Sequence, residues 1–177
     1  CRMMSSIVYV DGRTGAVIWK LGGKGNMFKD LSGGAATGFN GQHHARFHEN
    51  GRIVSIFDNG NCPGRPVTGP TRGLTVVLDT EKMTVQLQHE YISPNSVLTD
   101  NSGSMQILDS GNVVLGFGRM RTGPNTPRMD HCSAMFIWAP RRSSTAGKFA
   151  PTGSRRVPGL VILRPCPRLL WMMEECM

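Results

Sequence analysis

Apolar and polar positions alternate along most of this chain in short runs, separated by turn-forming residues. Ile7-Val8-Tyr9-Val10 is β-rich, Asp11 to Gly15 is a turn, and Ala16 to Leu21 returns as a second strand, a strong hairpin signal. The stretch from Gly22 to Gly41 is too polar and irregular for a strand or a stable helix. Ala45 to His48 leads into Glu49-Asn50-Gly51, where Asn-Gly suits a tight turn with positive φ, and Arg52 to Asp58 returns. A loop rich in Gly and Pro covers Asn59 to Arg72. Gly73 to Leu78 and Met83 to Ile92 then flank a turn at Asp79, and Ser104 to Leu108 and Asn112 to Phe117 flank Asp109-Ser110-Gly111. No segment has a convincing helical period.

Hairpins at this spacing fit an all-β sandwich, barrel or propeller. The turns at Asp11 and Asp79 occupy like positions, and so do those at Glu49 and Asp109. The pattern therefore repeats every 60–70 residues as a four-stranded unit. The fold expected is an incomplete β-propeller of four-stranded antiparallel blades: the outer half of one blade, a full blade over about residues 43–92, and the inner half of a third. Residues 1–118 form this part, and residues 119–177 form an irregular, basic, poorly ordered tail. Only Ser133 to Ala139 and Val157 to Leu163 look strand-like there. Composition and repeat both break near Gly118. The tail reads as sequence foreign to the fold, from a shifted frame or intron read-through, or as a divergent C-terminal region.

Charge supports the same division. The whole chain carries a net +8, but residues 1–118 hold 10 Lys and Arg against 9 Asp and Glu, while residues 119–177 hold 10 against 3. A nucleic-acid partner is therefore not expected for the body, and a nucleic-acid or membrane-surface role would belong to the tail alone. No apolar run approaches a membrane span. Cys1 opens the chain directly into strand-like sequence, which reads as a start inside a domain. The five cysteines form no C-x-x-C pair or zinc spacing, so no metal site is expected. Gly22-Gly23-Lys24-Gly25 lacks the spacing and following helix of a phosphate loop.

The candidate chemistry gathers in Gln42-His43-His44-Ala45-Arg46-Phe47-His48, which holds three of the five histidines. Imidazole serves nucleophilic and acid–base roles near neutral pH, and arginine can hold an oxyanion through paired N–H donors. His43 is the catalytic candidate, the alternative being a buried structural histidine. In a regular strand His44 points away from His43. It shares a side with Arg46, so both could reach a bound anion only if the chain kinks before Ala45. Arg46, Arg72 and Gln106 are candidates for substrate binding, with structural ion pairs or carbonyl capping as the alternative for the two arginines. His48 beside the turn reads as solvated. Asp58 reads as able to orient an imidazole or build a turn, and Trp19, Phe47 and Phe117 as packing residues.

Several segments together resemble the fungal branch of the arylsulfotransferase family, in the family's order and over about residues 5–118. They are Ile7 to Gly23 (IVYVDGRTGAVIWKLGG), Gln42 to Gly51 (QHHARFHENG), Ser55 to Gly60 (SIFDNG), Arg72-Gly73-Leu74, Gly103-Ser104-Met105-Gln106 and Asn112 to Gly118. The resemblance implies a β-propeller with its reactive site near the central axis. It implies transfer of a sulfuryl group from a phenolic sulfate ester to a phenol acceptor through a sulfated histidine, with no nucleotide donor and no cofactor. His43 matches the histidine of the family's Gln-His-Asp-Ala-Arg-Phe motif, His44 stands at its Asp, and an expected Arg-His pair appears as Arg2-Met3. A secreted or membrane-anchored extracellular parent is implied as well. A propeller lacking most of its blades leaves strand edges open, so this chain is expected to be inactive alone and to self-associate. A non-catalytic propeller serving as a binding or scaffold module is the other reading, because fold does not fix function.

Overall fold

The computed structural model of the chain describes residues 2–94, 96–120, 134–138 and 161–162, and its regular structure there is all-β apart from two short 3-10 turns. Strands β1 (Ile7–Val10) and β2 (Val17–Leu21) pair antiparallel as the first hairpin. Asp11 shapes its turn by accepting the backbone N–H groups of Arg13 and Thr14 at 2.8 and 2.9 Å.

The central sheet is an antiparallel meander of β4 (His43–His48), β5 (Ile53–Asp58), β6 (Arg72–Asp79) and β7 (Thr84–Ile92). Its first turn has positive φ at Glu49, Asn50 and Gly51, as the Asn-Gly pair requires. A two-residue strand, β3 (Lys29–Asp30), adds to the outer side of β7 in parallel. It interrupts the stretch expected to be irregular. The Asp30 carboxylate holds it in place, accepting from the backbone of Ser32, Ala36 and Thr37 and from the Thr37 hydroxyl.

A third sheet begins with β8 (Thr99–Ile107) and β9 (Val113–Met120), and continues through β10 (Ala134–Trp138) and β11 (Val161–Ile162). β8 starts earlier than the sequence pattern suggests, because Thr99 to Gly103 are mostly polar. β10 and β11 fall within the two strand-like stretches of the basic segment. The rest of that segment, and with it the expectation of a disordered tail, lies outside the described residues.

All six residues of β5 are buried, since both faces of the central sheet are covered. A strand covered on both sides loses the alternation of a half-exposed one. On one face Val54, Ile56, Leu74 and Val76 meet Trp19 and Leu21 of the first hairpin, with Phe28 and Phe39 from the following loop. Phe57 points to the other face and packs with Met105, Val113, Leu115 and Phe117 of the third sheet. Two glycines allow that second contact. A Cβ at Gly73 would sit 2.7 Å from Leu115 Cδ2, and one at Gly103 would sit 2.1 Å from Phe57 Cε1. β8 thus lies close against the start of β4.

Candidate functional site

β4 begins with an irregularity. Its register with β5 pairs His43 with Phe57 and next Arg46 with Ser55, so β4 holds one extra residue there. His44 lies within this bulge with φ 50°, a left-handed conformation uncommon for histidine. A bulge re-aims side chains, and this one supplies the kink before Ala45 that a regular strand lacks. His43 and His44 do not diverge as strict alternation requires; both rings bond to β8.

The two bonds differ in kind. The Ser102 backbone N–H donates to His43 Nε2 at 3.2 Å. That nitrogen carries the lone pair, and the proton of the neutral ring is on Nδ1. His44 Nδ1 lies 2.9 Å from the Met105 carbonyl oxygen. A carbonyl only accepts, so Nδ1 carries the proton and Nε2 of the neutral ring carries the lone pair.

Burial, followed by the positive charge of Arg2, lowers the pKa of His43 below its ordinary value of 6.5 and favours the neutral ring. Arg2 lies in the 3-10 turn Arg2–Met4 and donates from Nη2 to the Asp100 carbonyl. Its buried Nε has no partner among the described residues, and no carboxylate there lies within ion-pair distance of its guanidinium. The sequence resemblance matches Arg2 to the arginine of an expected Arg-His pair but gives it no site role of its own. Arg2 is 98 positions from Asp100, so no local spacing signals the contact.

A polar layer beneath fixes β8. The Asn59 amide donates to Thr99 Oγ1 at 2.6 Å and to the Ser102 carbonyl at 3.1 Å, so it anchors the residue whose N–H meets His43 from the peptide on its other side. Thr71 Oγ1 donates to the Asn59 carbonyl at 2.9 Å, and Asn61 donates to Asp100 Oδ1 at 3.1 Å.

The remaining candidates are placed differently. Asp58 is fully buried, and its carboxylate accepts from Asn40 N at 2.8 Å, Gly60 N at 2.9 Å and Arg72 Nε at 2.9 Å. It braces the loop and not an imidazole. Arg72 also bonds Glu90. Burial alone would lower the Arg72 pKa, but the bonds and charges of Asp58 and Glu90 outweigh it and raise the value. Its guanidinium is engaged structurally. Arg46 is exposed, donates to the Ala45 carbonyl at 3.1 Å, and borders a cavity of about 200 Å³ with Ile7, Tyr9 and Trp19. That cavity faces the first hairpin, whereas the His43 and His44 rings bond to β8. Gln106 is exposed on β8. His48 is not simply solvated: its Nε2 lies 2.9 Å from the buried Ser55 hydroxyl.

A cavity of about 800 Å³ lies at the opposite end of β4 among Tyr9, Trp19, Phe47 and the turns near Asn50 and Thr80, and no histidine lines it. Among the described residues no three His, Cys, Asp or Glu side chains converge as metal ligands, and no helix is long and apolar enough to cross a membrane.

These features define an all-β protein with two imidazoles held against a neighbouring sheet and a guanidinium charge acting on one of them. The family model described as Arylsulfotransferase (ASST) matches residues 1–122, and the chain belongs to the arylsulfotransferase family. No curated protein and no solved structure matches the chain.

Proposed function

We propose that this chain supplies one full blade and parts of two others to a fungal-type, secreted or membrane-anchored β-propeller arylsulfotransferase. The enzyme transfers a sulfuryl group from a phenolic sulfate ester to a phenol through a histidine, without a nucleotide sulfate donor. The observation that carries this reading is the His43–His44 pair bonded to β8, with the Arg2 charge acting on His43, in a chain of this family. A neutral imidazole can attack sulfur, and a cation with free N–H donors can hold sulfate oxygens. On this reading His43 faces the substrate, Arg2 supports the sulfate, and Arg46 and Gln106 remain exposed for contacts with the donor or acceptor. Arg72 serves the site only through the Asp58 brace. Other blades complete the site, residues 1–118 are the propeller part, and this chain alone is inactive.

The full-length protein incubated with a chromogenic aryl sulfate and a phenol should release the chromophore and sulfate the phenol. His43→Ala should lower the transfer rate by about 100-fold, the scale of a lost acid–base group. Unchanged transfer would remove His43 from the mechanism. The absence of any transfer would leave the second reading, a non-catalytic propeller module. That reading draws support from Arg72, which is tied up by Asp58 and Glu90, and from the exposed Met3.

The open edges belong to the same proposal. β3 covers only Thr84 and Val85 of β7, and β1–β2 is a sheet of two strands. Such edges template pairing with another chain. Sedimentation of this chain should therefore show concentration-dependent association, and a monomer at every concentration would contradict it.

A further inference from the structure

We infer that Arg65 is a specificity-determining residue that selects aryl sulfates carrying a second anionic group. The inference rests on the sulfuryl-transfer reading above for the sulfate end of the ligand. It starts from the loop between β5 and β6, whose ends are pinned together. The Thr68 N–H donates to the Gly60 carbonyl at 2.8 Å, and a Cβ on Gly60 would sit 2.3 Å from the Gly69 carbonyl oxygen. A compact loop with touching ends is an Ω-loop, a form that often carries function. Pro63, Pro66 and Pro70 stiffen it further. Residues 63–68 are exposed, and Arg65 is the charged residue among them.

This loop is seated on the turn that carries Arg2. Cys62 Sγ lies 4.0 Å from the Arg2 carbonyl oxygen and 3.7 Å from Met3 Sδ. The Arg65 backbone N–H donates to the Cys62 carbonyl at 3.0 Å, and Arg65 Nη1 donates to the Ser5 hydroxyl at 3.4 Å. That hydroxyl donates in turn to Asn40 Oδ1 at 2.9 Å, and the Asn40 amide donates to the Pro66 carbonyl at 3.1 Å. Two arginines far apart in sequence are thus gathered on one short turn. Among the described residues no carboxylate lies within ion-pair distance of either. Asp100 receives the Arg2 bond on its carbonyl, while Asn61 holds its carboxylate. Cations gathered without an acid between them favour a bound anion.

The two cations differ in their relation to the reacting centre. The Arg2 charge acts on the His43 ring, and Arg65 is not among the charges that do. Arg2 therefore belongs with the sulfate that reacts, and Arg65 stands one contact further out. A ligand that reaches both carries a second anion beyond its aromatic ring. Between the two arginines the thioether of Met3 is 57 % exposed, and a soft, flexible side chain of this kind packs well on a ring. A contact so far from the sulfur is made equally in the ground state and the transition state. It acts on KM and not on kcat.

Two inert probes isolate the contact. Benzenesulfonate and 3-sulfobenzoate hold their sulfur on carbon and cannot transfer it, and the second adds a carboxylate. Calorimetry with the full-length protein should show 3-sulfobenzoate binding about 10-fold more tightly than benzenesulfonate, the scale of an exposed charge-assisted hydrogen bond. Arg65→Gln should remove that preference and leave benzenesulfonate binding within twofold of wild type. Arg65→Lys, which keeps the charge, should retain most of it. The side chain is exposed, so both variants should melt as wild type does. With a chromogenic aryl sulfate bearing a ring carboxylate, Arg65→Gln should raise KM by about 10-fold at unchanged kcat. The same variant should leave both constants unchanged for a donor whose ring bears no charge. Equal binding of the two probes by wild type, or loss of both in Arg65→Gln, overturns the assignment, and transfer by wild type would then leave the sulfuryl-transfer reading standing. A wild type that tells the probes apart through Arg65 but transfers from neither donor keeps Arg65 as the anion contact and overturns the transfer reading.

Discussion

The two ends of β4 use the same residue type in opposite ways. At its start the strand is bulged, His44 is left-handed, and the His43 and His44 rings bond to backbone atoms 59 and 61 positions away in the next sheet. At its end the register is regular, with Phe47 opposite Val54 and His48 opposite Ile53. His48 bonds Ser55 within its own sheet, while Phe47 stands edge-on to Tyr9 and Trp19 at centroid separations of 5.2 and 5.9 Å. Regular pairing commits a histidine to local structure. Distortion turns it toward the next sheet, where one nitrogen of each ring bonds the backbone of β8. The difference is one of backbone geometry and not of composition.

The sharpest way to break this comparison is to push β8 away from the bulged end. Gly103→Ala places a Cβ 2.1 Å from Phe57 Cε1 at a position whose φ of 127° already strains any side chain. Phe57 is fully buried and packs against Phe117 at 5.7 Å, so it has little room to yield. Overpacking together with backbone strain should cost about 2–4 kcal/mol, read from the urea midpoint. Gly12→Ala, with nothing within 4 Å of its new Cβ, should leave the midpoint nearly unchanged. Equal midpoints for the two variants would mean that β8 does not lie as close to Phe57 and the two histidines as described.

Much of this frame is legible in sequence, because the hairpins depend on local chemistry. Asp11, Asn50-Gly51 and Asp79 mark turns, and the strands between them alternate or run apolar. What is not legible depends on distant partners. Lys29 and Asp30 carry no strand pattern and pair only because β7 is there. The polar start of β8 becomes a strand because Asn59 and Thr71 satisfy Thr99 and Ser102. Within the site, His43 stands out by residue type, but the direction of His44 follows from a bulge that strand alternation cannot anticipate. The proximity of Arg2 to His43 comes from the fold alone. Arg72 shows the reverse limit, a cation well suited to an anion by type yet held by Asp58 and Glu90.

The smallest expected effect tests the electrostatics of the bulged end. The His43 pKa is lowered in the folded protein, first by burial and then by Arg2, so the unfolded chain binds a proton more readily. Stability must therefore rise with pH wherever the unfolded state is the more protonated. The contribution is fully present above the unfolded value of 6.5 and is lost as pH falls from there through the folded value. His43→Gln offers the test, because an amide oxygen can still accept the Ser102 N–H but does not titrate. Its melting temperature should track wild type above about pH 7, and wild type should lose the greater stability between about pH 6.5 and 5. The ring is only partly buried, so solvent screening keeps the difference small. The other four histidines are common to both proteins. A difference of opposite sign would show that the His43 pKa is not lowered in the folded protein, against both its burial and the nearby Arg2 charge.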